Sequence, residues 1–380
     1  MKTRLFLKLA AAATAALLIG LAASPSLAAG PAVVSGPSAD PQCYVPWAAD
    51  TKFVQYPAKK GPFRIALANG YIANTWRIQM IQTAKAYVAQ SDVAPMIKEF
   101  KVVSTGEDVG AQISAINNFI DSGYDAIVTD AQNPEAFAQV IKRAKDAGVV
   151  LVAFDNILNT TDDINVNVDQ EGLGELWGNW LVKHIPSGGK VLEVRGVAGT
   201  SVDTDRHNGI HKVLDASGKT WNVTEVVGKW DDGTAQKATA DAIAVQGHFD
   251  GITAQGGDTG VVQAMMDANH PWVPFAGETE NGFRKQCGAH AKDGLVCTSA
   301  GTGPAQVAVA IKTAIDALQG KVIPQSVKLP LAIVSDPDFK DGTNFYADQS
   351  DNFFVGNAFP TCGINFTAQE IMGQTKTDTN

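Results

Sequence analysis

Tyr124-Asp125-Ala126-Ile127-Val128-Thr129-Asp130 and Gly148-Val149-Val150-Leu151-Val152-Ala153-Phe154-Asp155-Asn156 decide how this chain folds. Both read as short, continuously apolar strands that end in polar residues. Between them, Phe137 to Ala147 reads as a helix. Apolar strands separated by helices imply a parallel sheet covered on both faces.

The pattern extends both ways. Upstream, Arg64 to Ala68 reads as a strand, and Trp76, Met80, Ala84, Tyr87 and Val88 recur at helical spacing. Phe100 to Val103 is strand-like, and Ile113, Ile116, Phe119 and Ile120 form the next apolar stripe. Downstream the plan starts again. Ile164, Val166 and Val168 alternate with Asn165, Asn167 and Asp169, and a helix carrying Trp177 and Trp180 follows. Strands are expected at 190–194, 223–227, 251–254, 273–276 and 295–299. A last long helix runs from about Pro304 to Leu318 and ends at Gly320. The expected fold class is therefore α/β, with two similar units, each a parallel sheet flanked by helices. Residues 30–60, and 334–380 beyond them, lack periodicity and read as irregular.

The first residues read as a secretory leader. Lys2, Arg4 and Lys8 precede an apolar run from Leu9 to Ala23, then Ser24-Pro25-Ser26-Leu27-Ala28-Ala29. Cleavage is expected near Ala28 or Ala29, placing the mature chain outside the cytoplasm. The formal charge is -9, and loss of the three basic leader residues makes the mature chain more acidic still. An acidic chain is a poor match to nucleic acid or an anionic membrane. No further apolar run reaches the ~20 residues that span a bilayer. Cys43, Cys287, Cys297 and Cys362 allow three pairings; 287–297 and 43–362 are expected. They lack the close pairs of zinc modules, so no metal is expected there.

Ligands of open parallel sheets bind beyond the carboxyl ends of the strands. Residues at those positions include Asn74, Trp76 and Arg77, then Asp130, then Asp155 and Asn156. In the second unit Gly196-Val197-Ala198-Gly199-Thr200-Ser201 leads to Asp205 and Arg206. Later strands deliver Trp230, then Gln255-Gly256-Gly257-Asp258, then Gly277-Glu278-Thr279-Glu280. Carboxylates, amides, arginines and aromatic faces together suit sugar recognition. Each residue alone has a plainer reading. Asp130 or Asp155 could cap a helix, Arg206 could pair with a surface Asp, and a lone Trp is usually core. Trp177 and Trp180 lie within a helix and are assigned to packing.

Other motifs are weaker. His207 and His211 share a helix face, a spacing that could hold a metal, but no H-E-x-x-H is present and a surface pair is expected. The glycine loop is neither a Walker loop nor G-x-G-x-x-G. There is no G-x-S-x-G elbow and no EF-hand loop.

Over roughly 63–334 the chain resembles periplasmic sugar-binding proteins of the ribose/galactose type, the substrate-binding components of ABC importers. The segments that carry the resemblance are Asn74-Thr75-Trp76-Arg77, Ala126 to Asp130, Val152 to Asn156, and the glycine loop with Asp205-Arg206. The resemblance implies ligand contacts from Asn74, Trp76, Arg77, Asp130, Asp155, Asn156, Arg206, Trp230, Asp258 and Glu278. The chain departs from ribose binders at Arg77, Asn156, Gly256-Gly257-Asp258 and Glu278-Thr279; the Trp76-Arg77 pair resembles galactofuranose-type binders.

It also implies a type I periplasmic-binding-protein fold in which the chain crosses between domains three times, near Asp169, Thr302 and Leu329–Pro330. The expected N-terminal domain is 61–168 with 303–329. The C-terminal domain is 169–302 with 330–362, and 363–380 is a tail. The implied activity is capture of a monosaccharide or polyol in the interdomain cleft of a periplasmic monomer. Delivery to a membrane ABC permease follows, with no cofactor and no covalent chemistry. A sugar sensor acting through a chemoreceptor or histidine kinase uses the same fold. A secreted glycosidase would need a carboxylate pair such as Asp130 and Asp155. A LacI-like regulator would need a helix-turn-helix where the leader stands.

Overall fold

The computed structural model describes residues 30–160, 163–301 and 303–376. The leader, its cleavage site and the crossing expected near Thr302 lie outside the described residues. The first unit contains β1 (Ala32–Val34), β2 (Phe53–Gln55), β3 (Phe63–Asn69), α1 (Thr75–Val88), β4 (Ile97–Ser104) and α2 (Val109–Asp121). It continues with β5 (Ala126–Asp130), α3 (Ala138–Asp146), β6 (Val150–Phe154) and β7 (Ile164–Val168). The second unit runs through α4 (Gln170–His184), β8 (Gly188–Arg195), α5 (Ser201–Ala216), β9 (Thr220–Val227) and α6 (Asp232–Gln246). Then come β10 (Gly251–Ala254), α7 (Asp258–Asp267), β11 (Phe275–Gly277), α8 (Asn281–His290) and β12 (Cys297–Gly301). The chain returns to the first unit as α9 (Gln306–Leu318), β13 (Ile323–Pro324) and β14 (Ser326–Leu329), and crosses again for β15 (Ala332–Ser335).

The main sheets have the orders β14-β7-β6-β5-β3-β4 and β15-β12-β11-β10-β8-β9. All pairings are parallel except that of β15 with β12. Every residue of β5 and β6 is buried, as a strand covered on both faces requires. One core of the first unit joins α1 and α9 to the sheet, and another joins α2 and α3 to its other face. The second unit repeats this with α4 and α5 on one face and α6 to α8 on the other. Alternation in β7 does not mean a wet face. Asn165 and Asn167 are buried, and Asn165 is held by the backbone of Leu158.

Two expectations need correction. Residues 30–60 are not wholly irregular: β1 and β2 pair antiparallel, and β13 adds the third strand. The final segment is not a simple tail on the second unit. After β15 the chain forms β16 (Ala358–Phe359), β17 (Ile364–Asn365) and α10 (Ala368–Met372). Phe359, Ile364, Phe366 and Ile371 pack into the core of the first unit. The chain therefore crosses a fourth time, driven by apolar side chains that the second unit does not cover. Disulfides join Cys43 to Cys362 and Cys287 to Cys297, the expected pairs.

In each main sheet the strand order reverses once, between β3 and β5 and between β8 and β10. A crevice opens beyond the carboxyl ends at such a point. In the first sheet Asn69 and Asp130 stand side by side at that end.

Candidate functional site

The two crevices face each other across one cleft. It holds about 360 Å³ of atom-free space and is lined by Asn74, Trp76, Arg77, Asp155, Val202, Arg206, Trp230, Gln255, Gly256, Glu278 and Phe354. Helices α1 and α5 begin at the cleft, and a side chain caps each one. Asn74 accepts the Arg77 N–H at 2.9 Å, and Thr200 accepts that of Asp203 at 3.4 Å. Asn74 thus caps a helix and lines the cleft at once.

From the first unit, Arg77 is buried and donates to Asn69 Oδ1 at 2.8 Å. It also pairs with Asp130. Burial raises the Asp130 carboxyl above its usual range, against the pull of Arg77. Asp155 accepts from Gln306 Nε2 at 2.8 Å, and burial raises its pKa too, opposed by Arg77 and Arg206. Neither Asp130 nor Asp155 caps a helix; Asn133 caps the turn after β5. The backbone of Asp155 is left-handed, with φ 55°. A non-glycine residue held there at a strand end carries strain that a functional site tolerates.

From the second unit, each of the three guanidinium nitrogens of Arg206 makes a hydrogen bond. The guanidinium donates to Gln170 Oε1 at 2.8 Å, to the Gln255 carbonyl at 2.9 Å and to Glu278 Oε1 at 2.6 Å. It lies 5.4 Å above the buried Trp177 ring. Trp177 is therefore packing, as expected, and its packing supports Arg206. Glu278 is buried and its pKa raised by that burial, with Arg206 opposing. Trp230 is left-handed too, with φ 56°. Its indole fits because position 196 is glycine; a Cβ there would lie 2.2 Å from the ring. The glycine loop thus serves an aromatic ring, not a phosphate.

Three expected contacts are not part of the lining. Asp130 lies behind Arg77. Asn156 is fully buried and bridges Asp130, Asp155 and the Val202 N–H. Asp258 is buried at the start of α7, where it accepts the Glu278 N–H at 3.3 Å. The reason for the last is register: β10 ends at Ala254, so the first residues beyond it are Gln255 and Gly256. Asp258, matched by resemblance to a family Asn-Asp position, falls two residues beyond them, at the start of α7. Val202 stands in the first turn of α5, and Phe354 lies in a segment without periodicity that gave no signal.

The polar groups of the lining are amides, indole N–H groups, guanidiniums and carboxylates. Each guanidinium already faces a carboxylate, and Asp155 adds one more acidic group. Trp230 Nε1 and Gln255 Oε1 are buried without a hydrogen-bond partner among the described residues. They offer one donor and one acceptor to a ligand. The lining has no histidine or cysteine to hold a metal.

Three known proteins show the likeness. The D-xylose-binding periplasmic protein of Haemophilus influenzae is 32% identical over 196 residues, 44% of this chain and 57% of that protein. The D-ribose/D-allose-binding protein of Pseudomonas aeruginosa is 32% identical over 166 residues, 41% of this chain and 50% of that protein. The chain thus spans about half the length of the curated relatives it matches. An ABC transporter solute binding protein from Thermobispora bispora superposes with a TM-score of 0.70 at 24% identity, covering 78% of this chain and 92% of that one. The model of the periplasmic binding protein domain matches residues 65–322, and the chain, two parallel-sheet units meeting at one cleft, belongs to that family.

Proposed function

We propose that the chain binds a neutral monosaccharide or polyol in the cleft and delivers it to the permease of an ABC importer. The observation that carries this reading is the charge pairing of the lining. Arg77 faces Asp130 and Arg206 faces Glu278, so no cation is left over for an anionic ligand. A sugar acid would meet the surplus carboxylate of Asp155. Hydroxyls, by contrast, can accept from Trp230 Nε1 and donate to Gln255 Oε1 and Asp155. Indole faces at Trp76 and Trp230 suit the apolar face of a ring. The named relatives bind xylose, ribose and allose, which supports the same ligand class. Of the carboxylate pair Asp130 and Asp155 only Asp155 lines the cleft, and the other carboxylate there, Glu278, is engaged by Arg206. Among the described residues no helix is long and apolar enough to cross a membrane. The protein would act in the periplasm and rely on a separate permease.

The test is a thermal-unfolding screen of the mature chain, refolded to strip co-purified ligand. Neutral pentoses, hexoses and polyols are compared with sugar acids. A true ligand at ~100 times its Kd stabilises by about 2.7 kcal/mol. A shift with sugar acids alone would overturn the neutral-ligand reading. No shift with any of the panel would overturn the sugar reading.

A further inference from the structure

His207 and His211 are not a surface pair. Both converge on Glu193, a carboxylate that is fully buried in the middle of β8. His207 Nδ1 lies 3.0 Å from Glu193 Oε1, and His211 Nε2 lies 2.9 Å from Glu193 Oε2. The register of β8 and β9 places Glu225 directly beside Glu193. Its Oε2 is 4.0 Å from His207 Nδ1. Ligand atoms from all four residues lie within 4.8 Å of one another.

Two carboxylates facing each other on neighbouring strands repel, and burial makes that worse. The nearby charges do not resolve it. Arg195 meets Glu225 at 2.8 Å and Asp203 at 2.7 Å. One guanidinium thus serves the cluster of Glu193, Asp203 and Glu225. With neutral imidazoles, two negative charges remain uncompensated around a fully buried Glu193, while Glu225 at the rim is exposed. Asp215 on α5 adds to the negative field at His211.

We propose that Glu193, His207, His211 and Glu225 bind a divalent transition-metal ion, zinc being the best fit. Two imidazoles and two carboxylates form a mixed nitrogen and oxygen set suited to zinc, not the all-oxygen shell of calcium or magnesium. Zinc bonds of about 2.0–2.1 Å in a tetrahedron place ligand atoms ~3.3 Å apart. The three His–Glu separations of 3.0, 4.0 and 2.9 Å lie around that spacing, and all four ligand atoms fall within 4.8 Å of one another. The ion supplies the two missing charges. All four ligands come from the protein, which is the pattern of a structural site. It staples α5, the helix that carries Arg206, onto β8 and β9. The ion lies outside the cleft lining, and the proposal does not depend on which solute the cleft takes.

The experiment uses the mature chain without a histidine tag, stripped with chelator. Zinc is titrated by calorimetry and thermal unfolding at neutral pH, and cobalt(II) by visible absorption. The expected result is one ion per chain, a higher unfolding midpoint with zinc, and the intense bands of tetrahedral cobalt. The double variant His207→Ala/His211→Ala loses all three. No saturable uptake of either ion would overturn the proposal and leave protons alone to balance the cluster. Uptake that persists in the folded double variant would overturn it by placing the ion elsewhere. Should that variant not fold, the cobalt spectrum of the unaltered chain decides, because weak octahedral bands exclude the tetrahedral site.

Discussion

The side-chain oxygen of Asn156, just past β6, accepts the backbone N–H of Val202 in the first turn of α5 at 3.1 Å, joining the two units across the cleft. The same amide donates to Asp130 at 3.0 Å and to Asp155 at 3.3 Å. One buried group therefore reads the position of both halves. Asn156→Ala leaves the Val202 donor and Asp130 without this partner, a cost of ~1–3 kcal/mol. Part of that cost falls on the contact that holds the two units together at the cleft, so ligand affinity should drop about tenfold, since ~1.4 kcal/mol is a factor of ten. Calorimetry checks this; an unchanged Kd would show that the Asn156 contact does not bear on binding. Lys229 and Glu107 also span the units, at 2.9 Å, but both are exposed. Such pairs contribute ~0–1 kcal/mol, and Glu107→Ala should barely change affinity.

Arg206 and Glu278 form the second-unit anchor. Arg206→Ala would leave Glu278 buried and unpaired, which costs ~3–5 kcal/mol. Denaturant unfolding of the ligand-free chain should show that loss, and ligand binding should vanish. Arg206→Lys should not restore either property. A point charge cannot reach Gln170, the Gln255 carbonyl and Glu278 together, as the planar fork does. Full rescue by lysine would mean that charge alone matters there.

Much of this was legible in the sequence, for identifiable reasons. The continuous apolar runs of β5 and β6 fix a parallel sheet, and strand ends then locate Trp76, Arg77, Asp155, Arg206, Trp230 and Glu278 at the cleft. What periodicity could not give was depth. Asp130 ends β5 and Asn156 stands just past β6, beside Asp155, yet they lie behind the lining and hold it in place. Distance along the chain hid Phe354, which a fourth crossing brings to the cleft from an irregular segment. His207 and His211 showed the right spacing, but Glu193 and Glu225 join them only through strand register.

Gly196 gives a test of how tightly Trp230 is seated. A methyl at position 196 would stand 2.2 Å from the indole, so the ring or the loop must move. Overpacking of this kind costs ~1–3 kcal/mol. Gly196→Ala should keep the fold, shift Trp230 fluorescence and weaken ligand binding by tenfold or more. Unchanged binding would show that Trp230 is not a ligand contact.

The acidic residues behind β11 make stability depend on pH. Glu280 is buried, and its pKa is pushed up to about 8 by that burial and by Asp232. Unfolded, it titrates near the usual ~4.3. The folded state therefore holds the proton more tightly. Its stabilising contribution is full below about 4.3 and disappears as pH rises through about 8. Unfolding free energy should fall between mildly acidic and mildly alkaline pH. Glu280→Gln, which stays neutral and keeps an acceptor for one of the Gly257 and Thr259 N–H groups, should flatten that slope. A slope that Gln leaves unchanged would assign it to other groups.

The fourth crossing makes the C-terminal segment part of the cleft wall. Phe353 O accepts the Asn281 N–H at 2.8 Å, and the Val355 N–H donates to Thr279 at 3.1 Å, tying the segment to the second unit. On the other side the Gln79 amide of α1 binds both backbone groups of Phe354, donating at 3.0 Å and accepting at 2.9 Å. Beyond it, Cys43–Cys362 anchors the chain end to the first unit. Phe354 is thus placed by backbone contacts of its segment to both halves. Gln79→Leu removes the first-unit contact while keeping similar bulk. Ligand affinity should fall about tenfold, with Phe354→Ala giving at least as much, and the two losses should not add, because both act through one side chain. Breaking the disulfide with Cys43→Ser/Cys362→Ser should cost ~2–5 kcal/mol of stability. It should lower affinity less than Gln79→Leu does, since the contacts at Phe354 lie closer to the ligand than the anchor does. Calorimetry on the three variants separates these outcomes. Additive losses from Gln79→Leu and Phe354→Ala would show that the amide contacts the ligand independently of the wall it holds.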